Sequence, residues 1–566
     1  MTDPRPKNFK EKFKELRRFD PLMFAVETTQ RTTAVDEERS TSTGLTEYAG
    51  ELEERQIAHL LKRTLFGVKN EELSQFMGQS LSEAVSSLLS PESTFNAPVN
   101  NYYEITQYID DYEAEEDVGV GEDWSEAKEY WPISFLRLIS LKGRWIKNIL
   151  EQEPTIHQKM IVFWHTLIPT QFFDIGISKL SFQYFKKLHQ HALGNFKTII
   201  KEMTLDPSML IYLNGFLNSK YAPDENYARE LQELFTIGKG PDSKFTEDDV
   251  YEAARVLTGW RIDWETIDQQ EGPAEYYFEP LDHDTEDKQF SSFYNDRTIA
   301  GKSESDGSLE TDELIDMLFD NEETALYICR RLYNFFVYHE IDENAEVNVI
   351  QPLAQLFRDS DYEIAPVLEA LFKSDHFFEE SNIGAYIKSP ADHFLSMLRV
   401  LNGRIPEDLS MQYQMLETYY WLAGNLGMEL GDPPNVAGWQ AYYQQPTYDK
   451  IWINTDTTTR RAEYQDWTIY DLADLPTFID TLNDPSDPNE LIRETVLLLH
   501  GIEVEQEVLD DLKANLLAGQ QTDNYWTNAW LQYKNDPDNE EYRSIVVNRL
   551  RALYRPLLQL SEFQLF

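Results

Sequence analysis

The chain has 566 residues, of which 100 are acidic and 50 basic, so its formal net charge is −50. Such a surface repels phosphate backbones and anionic membrane surfaces, which argues against nucleic acid and lipid as partners; solubility with some salt tolerance is preferred to a basic partner as its explanation. Hydrophobic residues at 41% and aromatics at 13% can build a sizeable core, and the length calls for two or more domains or one large domain with insertions.

Residues 7–19 carry Phe9, Phe13 and Leu16 on one face among five basic side chains. This basic amphipathic helix reads as a clamp onto the acidic body, with docking to a partner or membrane as the alternative. Residues 30–45, rich in Thr, Ser and Glu, read as a linker. The apolar run Leu22–Val26 is too short for an export signal, and no segment approaches a membrane span. On the sequence as given, the chain reads as cytoplasmic.

From residue 55 the pattern is helical, with apolar residues at helical spacing over 52–66 and 71–89. The acidic stretch 110–117 lacks the alternating carboxylates of a calcium loop and reads as a solvated insertion. Helices are predicted at 130–168, 178–204 and 224–237, and Thr246 caps another with Asp249 at the box position. Tyr276–Phe278 and residues 290–298 read as short strands. Helices return at 309–319, 322–339, 347–358, 362–372, 385–402 and 410–426. Residues 431–456 are rich in Pro, Gly, Trp and Tyr and form a long irregular loop. The fold class is therefore mainly α: a large multi-helix domain with a small β element near 274–300 and that loop. The expected divisions are an N-terminal extension (1–50), a helical core (51–460) and a C-terminal helical region (461–566).

The 224–237 segment has two organised faces. Tyr227, Leu231, Leu234 and Phe235 form an apolar stripe, while Asn226, Arg229, Glu230 and Glu233 form a polar one. Two arrangements fit: a half-buried helix with Arg229 and Glu233 paired in solvent, or a polar stripe turned inward. On the inward arrangement Arg229 and Glu230 are buried and pair with groups outside their own helix, and the 431–456 loop packs on this helix to take polar partners from it. His283, Asp284 and nearby Lys288 fall in a loop, where a structural lock and acid–base chemistry both remain open. Asn435, Trp439, Trp452 and Asn454 combine aromatic platforms with amides, which suits a sugar-like ligand, or pins the loop into the core. Cys329, the single cysteine, reads as a buried hydrophobe. There is no nucleophile elbow, phosphate loop or dinucleotide fingerprint, so no cofactor is expected.

The ordered pieces Ala58–Arg63 with Phe66-Gly67, Phe163-Trp164-His165, His191–Phe196, Glu225–Leu231, Ala253–Trp260, His283-Asp284, Pro433–Trp439 and Trp452–Thr455 together resemble the bacterial family of unknown function called DUF1800. The resemblance adds His165 and Trp260 to the candidate binding residues Asn226, Arg229, Asn435, Trp439, Trp452 and Asn454. Members of that family are often exported, and their genes often neighbour one for a sulfatase-like protein, which implies export and a partner enzyme of that kind. The family often reads Trp-His-Asn-His where this chain has Trp164-His165-Thr166-Leu167, so no metal is expected on that pair; with one cysteine and no helical histidine pair at i, i+4, no tightly bound transition metal is expected anywhere in the chain. His189 and His191, two apart on a helix, point away from each other. The resulting reading is a binding or assembly protein that holds a polar, carbohydrate-like ligand and acts with a partner enzyme. The alternative is a hydrolase-like enzyme using Glu230, His283 and Asp284. Convergence of Arg229, Glu230, His283 and Asn435 on one pocket would favour the enzyme.

Overall fold

Helix α1 (Glu54–Thr64) turns its apolar residues Ile57, Leu60 and Leu61 inward, and buries Lys62 and Arg63 with them. The computed structural model describes residues 41–92, 95–102 and 118–566. The predicted basic helix at 7–19, most of the 30–45 linker and the acidic stretch 110–117 lie outside the described residues. Thr41–Phe566 form one unit, and the chain is 60% helical. Among the described residues no helix is long and apolar enough to cross a membrane.

The predicted 71–89 helix is two helices. Gly78 takes a left-handed turn, and Ser80 then starts α2 (Leu81–Leu88) with a reciprocal capping box to Glu83. Two core helices follow, α3 (Ser134–Leu150) and α4 (His157–Leu167), and then α5 (Ser178–Gln190) packs on both. Asp224 caps α6 (Glu225–Glu230), which continues as a π-helical turn over Leu231–Thr236. Thr246 and Asp249 form the expected box at the start of α7 (Glu247–Val256).

The small β element is two separate hairpins. Strand β1 (Trp260–Asp263) pairs antiparallel with β2 (Glu275–Phe278) in the register Trp260 to Phe278. Strand β3 (Lys288–Gln289) pairs with β4 (Thr298–Ile299), with a single 3-10 turn at Ser292–Tyr294 between them. β1 escapes a sequence reading because it directly continues the α7 segment. Helices α8 (Leu309–Phe319), α9 (Glu322–Phe336) and α10 (Leu409–Asn425) complete the central layer, α10 lying along α3. The C-terminal helices include α11 (Pro488–Leu499), which contacts α1, and α12 (Glu540–Gln559). One apolar core runs through nearly all of this. A second, small core of Ile175, Ile177, Leu180, Trp260, Ile262 and Ile267 lies under the first hairpin.

Candidate functional site

The polar stripe of α6 faces partly to water. Its apolar side is buried as the periodicity requires, through Tyr227, Leu231 and Phe235. The Arg229 side chain keeps 29% of its exposure and holds three carboxylates: Glu225 at 3.0 Å, Glu233 at 3.3 Å and Glu247, at the start of α7, at 2.6 Å. Asn226 donates a long 3.4 Å bond to Leu213 O. Glu230 is half-buried; burial first, and then Glu233, raise its carboxyl above the ordinary range. The expectation that Arg229 is buried is thus corrected, whereas its expected pairing outside its own helix is present in Glu247 of α7, beside the pairs at i±4.

His283 and Asp284 sit in a closed ionic lock between α7, the hairpins and α8. The His283 ring is buried, with Nδ1 2.9 Å from Thr258 O and Nε2 3.1 Å from Glu310 Oε1. Buried Lys288 reaches Glu310 Oε2 at 2.5 Å, and the Lys302 N–H donates to Oε1 at 2.6 Å. Burial opposes ionisation of Glu310, but His283 and Lys288 outweigh it and hold the carboxyl below its usual range. Asp284 receives a two-pronged Arg255 at 2.8 and 3.1 Å; this fork outweighs burial and keeps Asp284 ionised. A Cβ at Gly307 would meet His283 Cδ2 at 2.6 Å, so the backbone closes directly over the ring. Sequence reasoning missed Glu310, whose helix offers only an ordinary acidic first turn.

The 431–456 loop is anchored on α3, α4 and α9 instead of α6. Buried Lys142 of α3 forms an ion pair with Asp432 and lies 3.4 Å from Glu429. Phe172 N–H donates to Gly431 O at 2.9 Å, and Tyr442 packs on Phe335 with centroids 5.1 Å apart. Lys142 thereby supplies the polar company expected from α6. Trp439 and Trp452 are buried, against His165 (5.7 Å) and Tyr442 (5.9 Å), so neither offers a ring face to a ligand. Asn435 Oδ1 accepts from Ala437 N at 2.8 Å, and Asn454 caps the helix Thr455–Trp467. His165 contacts Tyr184 OH at 3.1 Å, and burial, then Lys142, push it down to about 3.

Two groupings of the predicted residues therefore exist. His165 meets Trp439, and Trp260 meets His283 through the Phe278 ring, at 5.2 and 5.1 Å. Glu230 shares no hydrogen bond or ion pair with His283 or Asp284 among the described residues.

Two further features carry potential function. The first is a buried cationic group: Lys62 donates to Leu498 O at 2.6 Å, and Lys388 to Phe563 O at 2.8 Å, while Lys159 pairs with Asp392. The cavity lined by Lys62, Lys388 and Asp392 holds only about 20 Å³, the room of a single water. Lys62 and Lys388 cap the carbonyl end of α11, which explains their burial in structural terms. The second is an aromatic surface around the first hairpin. Trp264, Tyr276, Tyr277, Tyr221 and Leu281 are all exposed, and Trp131, also exposed, is tied to this region by a 3.1 Å bond to Asp268. β2, like β1, is an edge strand of its two-stranded sheet, with Tyr276 and Tyr277 on its opposite faces. The aromatic composition of 276–278 was the available signal, and it was read only as strand propensity.

A family model described as "Protein of unknown function (DUF1800)" matches residues 59–565. No curated protein and no solved structure matches the chain.

Proposed function

The chain belongs to the DUF1800 family, and from that premise we propose that it is a binding and assembly protein that docks a partner enzyme on the aromatic surface of the first hairpin. The observation that carries this reading is the exposure of Trp264, Tyr276 and Tyr277 around an unpaired strand edge. Exposed edges are ordinarily blunted, and aromatic rings concentrate the energy of protein interfaces. A partner segment laid along β2 would pair with its free backbone and meet a tyrosine on each face. Glu275, Glu271 and Asp268 stand exposed around it and favour a segment without acidic residues. The polar, carbohydrate-like ligand belongs to the same surface on this reading, because Trp439 and Trp452 have no free ring face. The hydrolase-like alternative draws less support, since His283 and Asp284 are each consumed in ion pairs and hydrogen bonds.

The test is a titration of the purified chain with the sulfatase-like protein that the family context suggests. Binding should weaken at least tenfold in a Trp264→Ala/Tyr277→Ala variant that keeps the wild-type melting temperature. Unchanged binding in that variant removes the surface from the reading. Failure of the wild-type chain to bind removes the partner.

A further inference from the structure

Three segments far apart in sequence bring Glu92, His157 and His189 together. Glu92 follows α2, His157 opens α4, and His189 lies in the last turn of α5. One donor atom from each lies within 4.8 Å of the other two. All three side chains are buried; Glu92 retains 6% of its exposure and His189 10%. Glu92 Oε2 and His189 Nε2 stand 3.4 Å apart. In a tetrahedral zinc site with metal–ligand bonds of about 2.0–2.1 Å, neighbouring donors stand about 3.3 Å apart. That pair is therefore already at coordination spacing, and the third donor needs a shift of roughly 1–1.5 Å to join it.

His157 supplies the second observation. It is almost wholly buried, and its Nε2 has no hydrogen-bond partner. A buried ring nitrogen without a partner is costly unless something else engages it. Its Nδ1 receives a long 3.5 Å approach from the Glu92 N–H, weaker than an ordinary hydrogen bond. The His157 and His189 rings are packed with centroids 4.3 Å apart, and Phe95 closes the other side of His189. Gln158 Nε2 donates to Glu92 Oε2 at 2.7 Å and fixes the carboxylate's direction, the outer-shell support that metal carboxylates have.

We propose that Glu92, His157 and His189 form a site for a divalent transition ion of the zinc class, with water as the fourth ligand. Two imidazoles and one carboxylate are the donor set such ions select. The ion would pin the segment after α2 onto the adjoining ends of α4 and α5. A search of single helices misses the site, because its two histidines lie on different helices and its carboxylate on a third segment. The inference stands apart from the partner reading.

The test uses the full chain, stripped by chelator dialysis and titrated with zinc, then with cobalt as a visible probe. One equivalent of zinc should bind, and cobalt should give the intense visible bands of a four-coordinate site. Glu92→Gln, which preserves the side-chain shape, and His157→Ala should each lower zinc affinity at least tenfold. Zinc should raise the melting temperature of the wild type and leave Glu92→Gln unmoved. Cobalt titration of the wild type tests the site even where a variant fails to fold. Absence of stoichiometric zinc binding, or equal affinity in a folded Glu92→Gln variant, overturns the proposal.

Discussion

Glu310 and Arg229 show how differently two ionic residues can count. Glu310 is fully buried and balances Lys288, which is fully buried too. Glu310→Ala leaves that ammonium without its counter-charge, so we expect a loss of about 3–5 kcal/mol in urea denaturation. Arg229 has three carboxylates but stands about a third exposed, where a pair contributes about 0–1 kcal/mol. Arg229→Ala should therefore change stability by about 1 kcal/mol or less. A loss comparable with that of Glu310→Ala would restore the inward-facing stripe. His283 and Asp284 were legible as a loop lock because their residue types sit together in the chain. Their partner Glu310 was not, because burial of a carboxylate is decided by what folds onto it, here His283 and, from the β3–β4 hairpin, Lys288.

At the scale of elements, the loop from Gly431 to Asp456 makes one especially close backbone approach, in addition to its other anchors. Gly438 has φ +81°, and a Cβ there would stand 2.2 Å from Thr166 O. Both the left-handed conformation and the closeness demand glycine. Gly438→Ala must push the loop off α4 and uncover Trp439, so we expect a loss above 3 kcal/mol and a red-shifted tryptophan emission. Wild-type stability in that variant would show that the loop does not carry Trp439 into the core. The loop's buried tryptophans were legible, because tryptophans carry more apolar area than a loop leaves in water. Its seat was not, since the lysine that satisfies Asp432 lies on α3, whose pattern marks it simply as a core helix. The same reason hides β1: strand pairing with β2 is a long-range event, and Trp260–Asp263 carries only two inward apolar residues.

At the scale of the molecule, buried histidines make the fold sensitive to acid. His59 and His165 are held at about 3, in both cases by burial first and a neighbouring cation second. The unfolded chain protonates the same rings near pH 6.5, so it takes up protons that the fold refuses. Stability is therefore whole above about pH 6.5 and is lost as the pH falls from there towards 3. Each such ring contributes a slope of about 1.4 kcal/mol per pH unit. Between pH 6.5 and 5, His165→Gln should flatten the stability profile by about that amount. An unchanged slope would mean that His165 is reached by water in the fold.

The lysine that caps α11 from α1 sets a clock on synthesis. Lys62 and Leu498 are 436 positions apart. A ribosome adding about 5–20 residues per second needs roughly 20–90 s to travel between them. For that interval α1 has emerged with its apolar face and its lysine, while the carbonyls that will receive the ammonium do not yet exist. The early half of the molecule must wait in an incomplete state, and holdase chaperones have that window in which to act.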